Sequence, residues 1–459
     1  MDFKKLEKYS KKYKNYTELR MQENRSTSIA IRQGDIVTNN QNSESGLSAR
    51  VYKDGAWGFA ANPLINDEIM EHLVKKATDN AQFLSKKASL EKHNLPSRKG
   101  KIHKDFTTSK KRYSQKELIE YLKEVDSYIE KKCSDVSARN TRISNLDMEK
   151  KIITSDGSDS YIMRPRSLVI ISLTTVKDNQ PIQLYDVYGG FGNFEDNFED
   201  PSKLYSKIDK LYDDLMKKAN GVYAKPGTHD CIMDADLAGI LAHEAIGHTT
   251  EADMVQNGSV AADYLNEKVA SELVSLVDFA NKYEDDLCPV PVFIDDEGVK
   301  AEDTVIIKDG ILKGYMNNKE SAALMNMKAT GNARAYRFSD EPLIRMRNTA
   351  ILPGKSKLED MISSIDSGYY LAKPSNGQAD STSEFMFGIV KGYKIENGKI
   401  TDAIKDTTIS GVAFDVLQSI SMVSSDMSWS AAGMCGKKQP IPVGMGGPAV
   451  KCKINIGGK

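Results

Sequence analysis

The sequence predicts an α+β protein, with antiparallel meanders and flanking helices in its N-terminal half and a larger β-rich C-terminal domain carrying the helix of a candidate metal site. Three observations carry this prediction. Short runs of alternating polarity are closed by turn dipeptides in both halves, the pattern of antiparallel hairpins. Apolar residues recur at helical spacing in three separate N-terminal stretches. The length of 459 residues exceeds what one core can fill, and at roughly 150 residues per domain it points to about three units.

In the first unit, residues 1–100, runs such as Ser28-Ile29-Ala30-Ile31-Arg32 are punctuated by Gly34-Asp35 and Asp54-Gly55 and read as an antiparallel meander over residues 16–61. A helix follows from about Asn66, with Ile69, Leu73, Val74, Ala77 and Ala81 on one face. Residues 85–114 then crowd lysines and arginines around Pro96 and Gly100. With almost no aromatics to stack bases, this stretch reads as a solvated linker rather than a nucleic-acid patch.

The second unit, residues 101–225, opens with a capping box of Ser114 and Glu117 and a helix striped by Leu118, Leu122, Val125 and Ile129. Ser167 to Thr175 reads as a strand. A further helix enters through Asp200-Pro201 and carries Leu204, Ile208, Leu211 and Leu215. The break near Lys225-Pro226-Gly227 starts the third unit, residues 226–459. Its hairpins are marked by Asp309-Gly310 and Asn397-Gly398, and its Gly- and Pro-rich tail from Gly433 to Gly447 should be loop or irregular strand.

Lys plus Arg (63) and Asp plus Glu (64) nearly cancel, so no global field favours nucleic acid or an anionic membrane. The lysine-rich N-terminus lacks an apolar signal region, and no stretch offers about 18 consecutive apolar residues. Five scattered cysteines are unlike a disulfide framework and fit a reducing, cytoplasmic setting.

The chemistry concentrates in Leu241-Ala242-His243-Glu244-Ala245-Ile246-Gly247-His248, where two of only six histidines lie in an apolar helical run. Ala235, Leu237, Ala238, Ile240, Leu241 and Ala245 leave almost no polar face, so the imidazoles and the carboxylate need partners. They could be core histidines satisfied by hydrogen bonds, with Glu244 pairing a nearby base. A zinc site accounts for all three together: neutral imidazoles bind the metal, and the carboxylate beside the first of them serves as general base.

The spacing constrains the backbone. At about 100° per residue, positions i and i+5 lie about 140° apart on a regular α-helix, so His243 and His248 would not face one ion. A π-type bulge near Ala245 to Gly247 would restore a common face. A catalytic zinc also takes a third protein ligand. On residue type alone, Glu251, Asp253, Glu267 and Cys435 in Gly433-Met434-Cys435-Gly436-Lys437 rank level.

These motifs resemble the TldD/PmbA peptidases, once described as modulators of DNA gyrase. The resemblance rests on the HEAIGH element, Phe293 to Gly298, Thr330-Gly331-Asn332, Arg345 to Thr349 with Leu352-Pro353-Gly354, Asn397-Gly398-Lys399, and the Gly433–Lys437 and Pro442–Gly446 tail. It is dense in the third unit and covers the first two by general layout. The branch with HExxxH and a C-terminal cysteine completes its zinc site with that cysteine, which implies His243, His248 and Cys435 as metal ligands and Glu244 as the catalytic base. It further implies cleavage of flexible or unfolded peptides, with a possible role in peptide maturation, inside a homodimer or a heterodimer with a metal-free paralogue. The alternative is a non-catalytic regulatory protein of the same family. Thr250-Glu251-Ala252-Asp253 departs from the Leu-Glu-Gly-Asp common in the family, and Arg347 stands where Thr is expected. The acidic Asp295-Asp296-Glu297 turn reads as an exposed charged hairpin.

Overall fold

Turn chemistry sets the strand boundaries. The computed structural model describes residues 3–9, 13–88, 92–430 and 432–457. Gln33-Gly34, Asp54-Gly55, Asp309-Gly310 and Asn397-Gly398 all have both residues at positive φ, as the tight hairpin turn requires. The first turn lies one residue earlier than expected, on Gln33-Gly34, because β1 (Tyr16–Arg32) and β2 (Asp35–Lys53) close there.

Strand β3 (Ala56–Asn62) completes the first meander, and α1 (Asp67–Ala88) packs on it. After β4 (Lys101–Asp105), α2 (Gln115–Lys132) begins with the expected capping box: Ser114 accepts from Glu117 N–H, and the Glu117 side chain accepts from Ser114 N–H. Three long strands follow: β5 (Ala138–Thr154), β6 (Asp159–Lys177) and β7 (Gln180–Phe191). After the short α3 (Phe194–Asn197), the Asp200-capped turn at Pro201 leads into α4 (Tyr205–Ala219). These strands form one seven-stranded sheet, ordered β3-β2-β1-β5-β6-β4 with β7 on β6, so residues 16–62 and 101–191 share it. Part of the basic 85–114 stretch thus becomes an edge strand, β4 pairing parallel to β6.

Beyond residue 226 two sheets enclose the chemistry. One contains β8 (Gly227–Met233) with strands 367–379, 384–396, 399–403, 407–412 and 450–456. The other contains β9 (Leu276–Phe279) with strands 304–308, 311–312, 348–351, 444–447 and, last, 428–430. Between them runs α5 (Ala235–Ile240), continuing directly into a π-helix at Leu241–Gly247. Leu237, Ala238, Leu241, Ala242, Ala245 and Ile246 are fully buried in the largest apolar cluster. Close approach explains one helix glycine: a β-carbon at Gly239 would sit 2.9 Å from the backbone nitrogen of Gly446, so the C-terminal tail packs directly on α5.

The acidic turn is not exposed, contrary to the sequence expectation. Asp295, Asp296 and Glu297 are all buried at the contact with the N-terminal sheet. Lys150 Nζ lies 3.0 Å from both Asp296 carboxylate oxygens, with Arg20 Nη1 3.4 Å from Oδ1. Arg50 Nη1 lies 2.6 Å from Glu297 Oε1 while its guanidinium stacks 3.6 Å from the Trp57 ring centroid. Asp295 instead accepts backbone N–H groups of Glu297, Val299 and Ala333, and burial holds its carboxyl well above the usual range. The cations that make this burial tolerable come from β1, β2 and β5, more than a hundred residues away, and local sequence gives no sign of them.

Candidate metal site

A run of apolar residues with histidines five apart can face both rings one way only by changing helical pitch. That change is present. The π-helix spans Leu241–Gly247, and His248 N–H donates to His243 C=O, an i to i+5 bond. The two rings lie 5.2 Å apart between centroids. Gly247 makes room for the Met346 side chain, since a β-carbon there would fall 2.0 Å from Sδ and displace it.

The third member comes from the tail. Cys435, on the short strand Met434–Cys435 paired with Ile441–Pro442, places Sγ 3.4 Å from His248 Nε2. One ligand atom from each of His243, His248 and Cys435 lies within 4.8 Å of the others, so the three could share one ion. The donor set fits zinc, whose sites are built from imidazole and thiolate. His243 supplies the decisive sign: it is fully buried and neither ring nitrogen has a hydrogen-bond partner among the described residues. Leaving such a group unsatisfied costs on the order of 1–3 kcal/mol, and a metal would remove that cost.

Charges around the cluster favour a thiolate. Burial pushes the Cys435 thiol up, but the neighbouring imidazoles of His243 and His248 outweigh it and bring the thiol down to about 4. Burial works against protonated His248, yet the Glu251 carboxylate and Cys435 raise its pKa well above the usual imidazole value. Glu251 is itself held low, because His248 and Lys437 overcome the burial that would raise it.

The acidic candidates separate cleanly. Glu251 Oε2 lies 2.9 Å from His248 Nδ1, on the ring edge away from Cys435, and so orients the ring rather than meeting an ion. Asp253 is engaged by Lys437, and Glu267 is exposed. Glu244 is partly exposed, its side chain 27% accessible, and its Oε2 is 3.7 Å from His248 Nε2. A cleft of about 310 Å³ is lined by Asp236 and Ile240 of α5, Trp429 and Ser430, Met434 and Lys373, so that it meets the cluster's own segments at Ile240, one turn before Glu244, and at Met434, next to Cys435.

Two supporting residues escape a reading by sequence. Fully buried Arg345 donates to the carbonyls of Cys435, Lys437 and Gln439 at 2.7, 2.8 and 2.9 Å, gripping the loop that carries Cys435. Lys437 binds both Glu251 and Asp253. Both lie in motifs that carry the family resemblance, but nothing in the sequence marks the role of either beyond a charge in an otherwise apolar or glycine-rich stretch. Arg347, the departure from the family pattern, is a framework residue: its Nε lies 2.8 Å from Asp278 Oδ2 with both side chains fully buried.

A His/His/Cys cluster that joins a π-distorted helix to the tail, with a partly exposed carboxylate 3.7 Å from one imidazole, is a candidate metal centre of the kind a metallopeptidase uses. Comparison with known proteins agrees. Residues 226–458 match the family model described as PmbA/TldA metallopeptidase C-terminal domain, and residues 17–81 match PmbA/TldA metallopeptidase domain 1. The chain is 32% identical to the "Metalloprotease TldD homolog" of Buchnera aphidicola subsp. Schizaphis graminum, covering 94% of this chain and 90% of that protein. It is 29% identical to the "Zinc metalloprotease TldD homolog" of Saccharolobus solfataricus, covering 90% of each. The crystal structure of TldE from Thermococcus kodakarensis shares the fold, with a TM-score of 0.78 and 20% identity over 99% of each chain. The chain belongs to the PmbA/TldD metallopeptidase family, in its TldD branch.

Proposed function

We propose that the protein is a zinc peptidase acting on flexible or unfolded peptides, with His243, His248 and Cys435 as the metal ligands and Glu244 as the general base. The observation that carries this reading is the convergence of a fully buried, unpartnered His243 with His248 and Cys435, beside an accessible Glu244. Zinc held by such a set supplies Lewis acidity toward a peptide carbonyl and toward water. Glu244 takes the proton of the attacking water and returns it to the leaving amine nitrogen. Glu251 keeps the His248 ring turned so that Nε2 faces the cluster.

Strand 428–430 ends its sheet and lines the cleft, so an extended peptide can add to that edge through main-chain hydrogen bonds. Such pairing accepts many sequences but requires an unfolded segment, which suits a role in peptide maturation. A cytoplasmic location and a homodimer, or a heterodimer with a metal-free paralogue, belong to the same reading. The test is to measure zinc per chain together with cleavage of an unstructured peptide library, before and after chelation. About one zinc per chain, with hydrolysis lost on chelation and restored by zinc, is expected. A chain that takes up no zinc, or cleaves equally without it, overturns the reading.

A further inference from the structure

The loop that carries Cys435 also reaches across to the far side of His248. Lys437 Nζ lies 2.9 Å from Glu251 Oε2, 2.8 and 2.6 Å from the two Asp253 oxygens, and 3.3 Å from the carbonyl of Ile344. Glu251 Oε2 is also the atom 2.9 Å from His248 Nδ1. One carboxylate oxygen is therefore shared between the ammonium and the ring. Glu251 is completely buried, and the Lys437 side chain is 13% exposed. Removing the ammonium would leave a buried carboxylate with one partner fewer, free to draw away from the ring or to bind it in another orientation. The main chain of the same loop is fixed by Arg345 through the carbonyls of Cys435, Lys437 and Gln439.

We propose that Lys437 is a positioning residue for the metal site, an inference that rests on the metal reading above. It pins Glu251 against His248 and ties that contact to the loop bearing Cys435, so that Cys435 Sγ and His248 Nε2 are set as a pair. Among the described residues no hydrogen bond joins Lys437 to either histidine, and its effect passes through Glu251 and its own backbone. Asp253 provides the internal control, since it shares Lys437 but makes no hydrogen bond or ion pair with His248 among the described residues.

The experiment uses the full chain. Zinc affinity is measured by competition with a chromophoric chelator, and cobalt is substituted to read the sulfur-to-metal charge-transfer band, for wild type, Lys437→Met, Lys437→Arg and Asp253→Asn. Lys437→Met is expected to bind zinc roughly 10- to 100-fold more weakly, with a weaker charge-transfer band per bound cobalt. Lys437→Arg, which keeps the charge, recovers most of the loss, and Asp253→Asn changes affinity less than Lys437→Met. A Lys437→Met protein with a lower melting temperature but wild-type affinity and spectrum overturns the proposal, because support of the fold alone would produce that result. Should Lys437→Met not fold, Glu251→Gln tests the same link, and wild-type affinity there also overturns it. A wild-type chain that takes up neither zinc nor cobalt overturns the metal reading and this proposal with it, whereas wild-type binding beside an unaffected Lys437→Met overturns only the latter.

Discussion

Cys435 Sγ lies 3.4 Å from His248 Nε2, although 187 positions separate the two residues. The contact joins the turn that caps the π-helix to a short strand in the tail, so removing the sulfur should disturb metal binding without unfolding either element. For Cys435→Ala, zinc content measured by atomic emission should fall well below one per chain while the circular dichroism spectrum is kept. Full zinc occupancy in that variant would remove Cys435 from the ligand set.

Glu244→Gln preserves shape and removes the proton acceptor. Peptide hydrolysis should fall by roughly 10²- to 10⁴-fold, with zinc content unchanged. Turnover near wild type would assign the proton transfer to another group, and zinc loss would make Glu244 part of the metal-holding framework.

The metal-stripped protein should hold a thiolate in acid. Burial raises the thiols of Cys133 to about 11 and of Cys288 and Cys452 to about 12, and lifts that of Cys231 well above its usual value, so near neutrality Cys435 alone is ionised. Thiolate ultraviolet absorbance should persist as pH falls and vanish with a midpoint of about 4, and Cys435→Ala should abolish it. The sign for stability follows from a folded pKa lowered from an ordinary 9.0. The contribution of Cys435 is fully present above that value, declines below it and is lost as pH falls through about 4. Absorbance lost near the ordinary thiol range would contradict this arrangement.

Gly247→Ala places a methyl group against Met346 Sδ, which a β-carbon would approach to 2.0 Å in a fully buried setting. Overpacking of this kind costs roughly 1–3 kcal/mol. Chemical denaturation should show that loss, and Met346→Ala in the same chain should recover part of it as a favourable coupling energy. Strictly additive losses would place the strain elsewhere.

Asp296→Ala leaves Lys150 and Arg20 facing each other in a buried contact. Breaking a buried pair from one side costs about 3–5 kcal/mol. A marked fall in melting temperature is expected, with zinc content of the folded fraction retained because the turn does not touch the His/Cys cluster. A melting temperature unchanged from wild type would mean that the turn is solvated after all.

What the sequence determined by itself is what local physics controls. The turn dipeptides at Asp54-Gly55, Asp309-Gly310 and Asn397-Gly398 impose positive φ whatever surrounds them, and the capping box at Ser114 and Glu117 closes within four residues. The π-helix was legible for the same reason: two histidines five apart cannot share a face on a regular helix, so their chemistry implied the bulge before any tertiary contact was known. Tertiary structure decided the rest, since those outcomes depend on charges that meet across long separations. The acidic turn at Asp295 to Glu297 looked solvated until Lys150, Arg20 and Arg50 were seen to neutralise it from another sheet. On residue type alone Cys435 ranked level with Glu251 and Asp253, and the family resemblance favoured it; the path of the tail supplies the physical reason, bringing sulfur to one edge of the His248 ring and Lys437 to the carboxylates at the other. Residue type fixes what a side chain can bind, but its reach is set by a backbone held by distant partners, here Arg345 and Gly239.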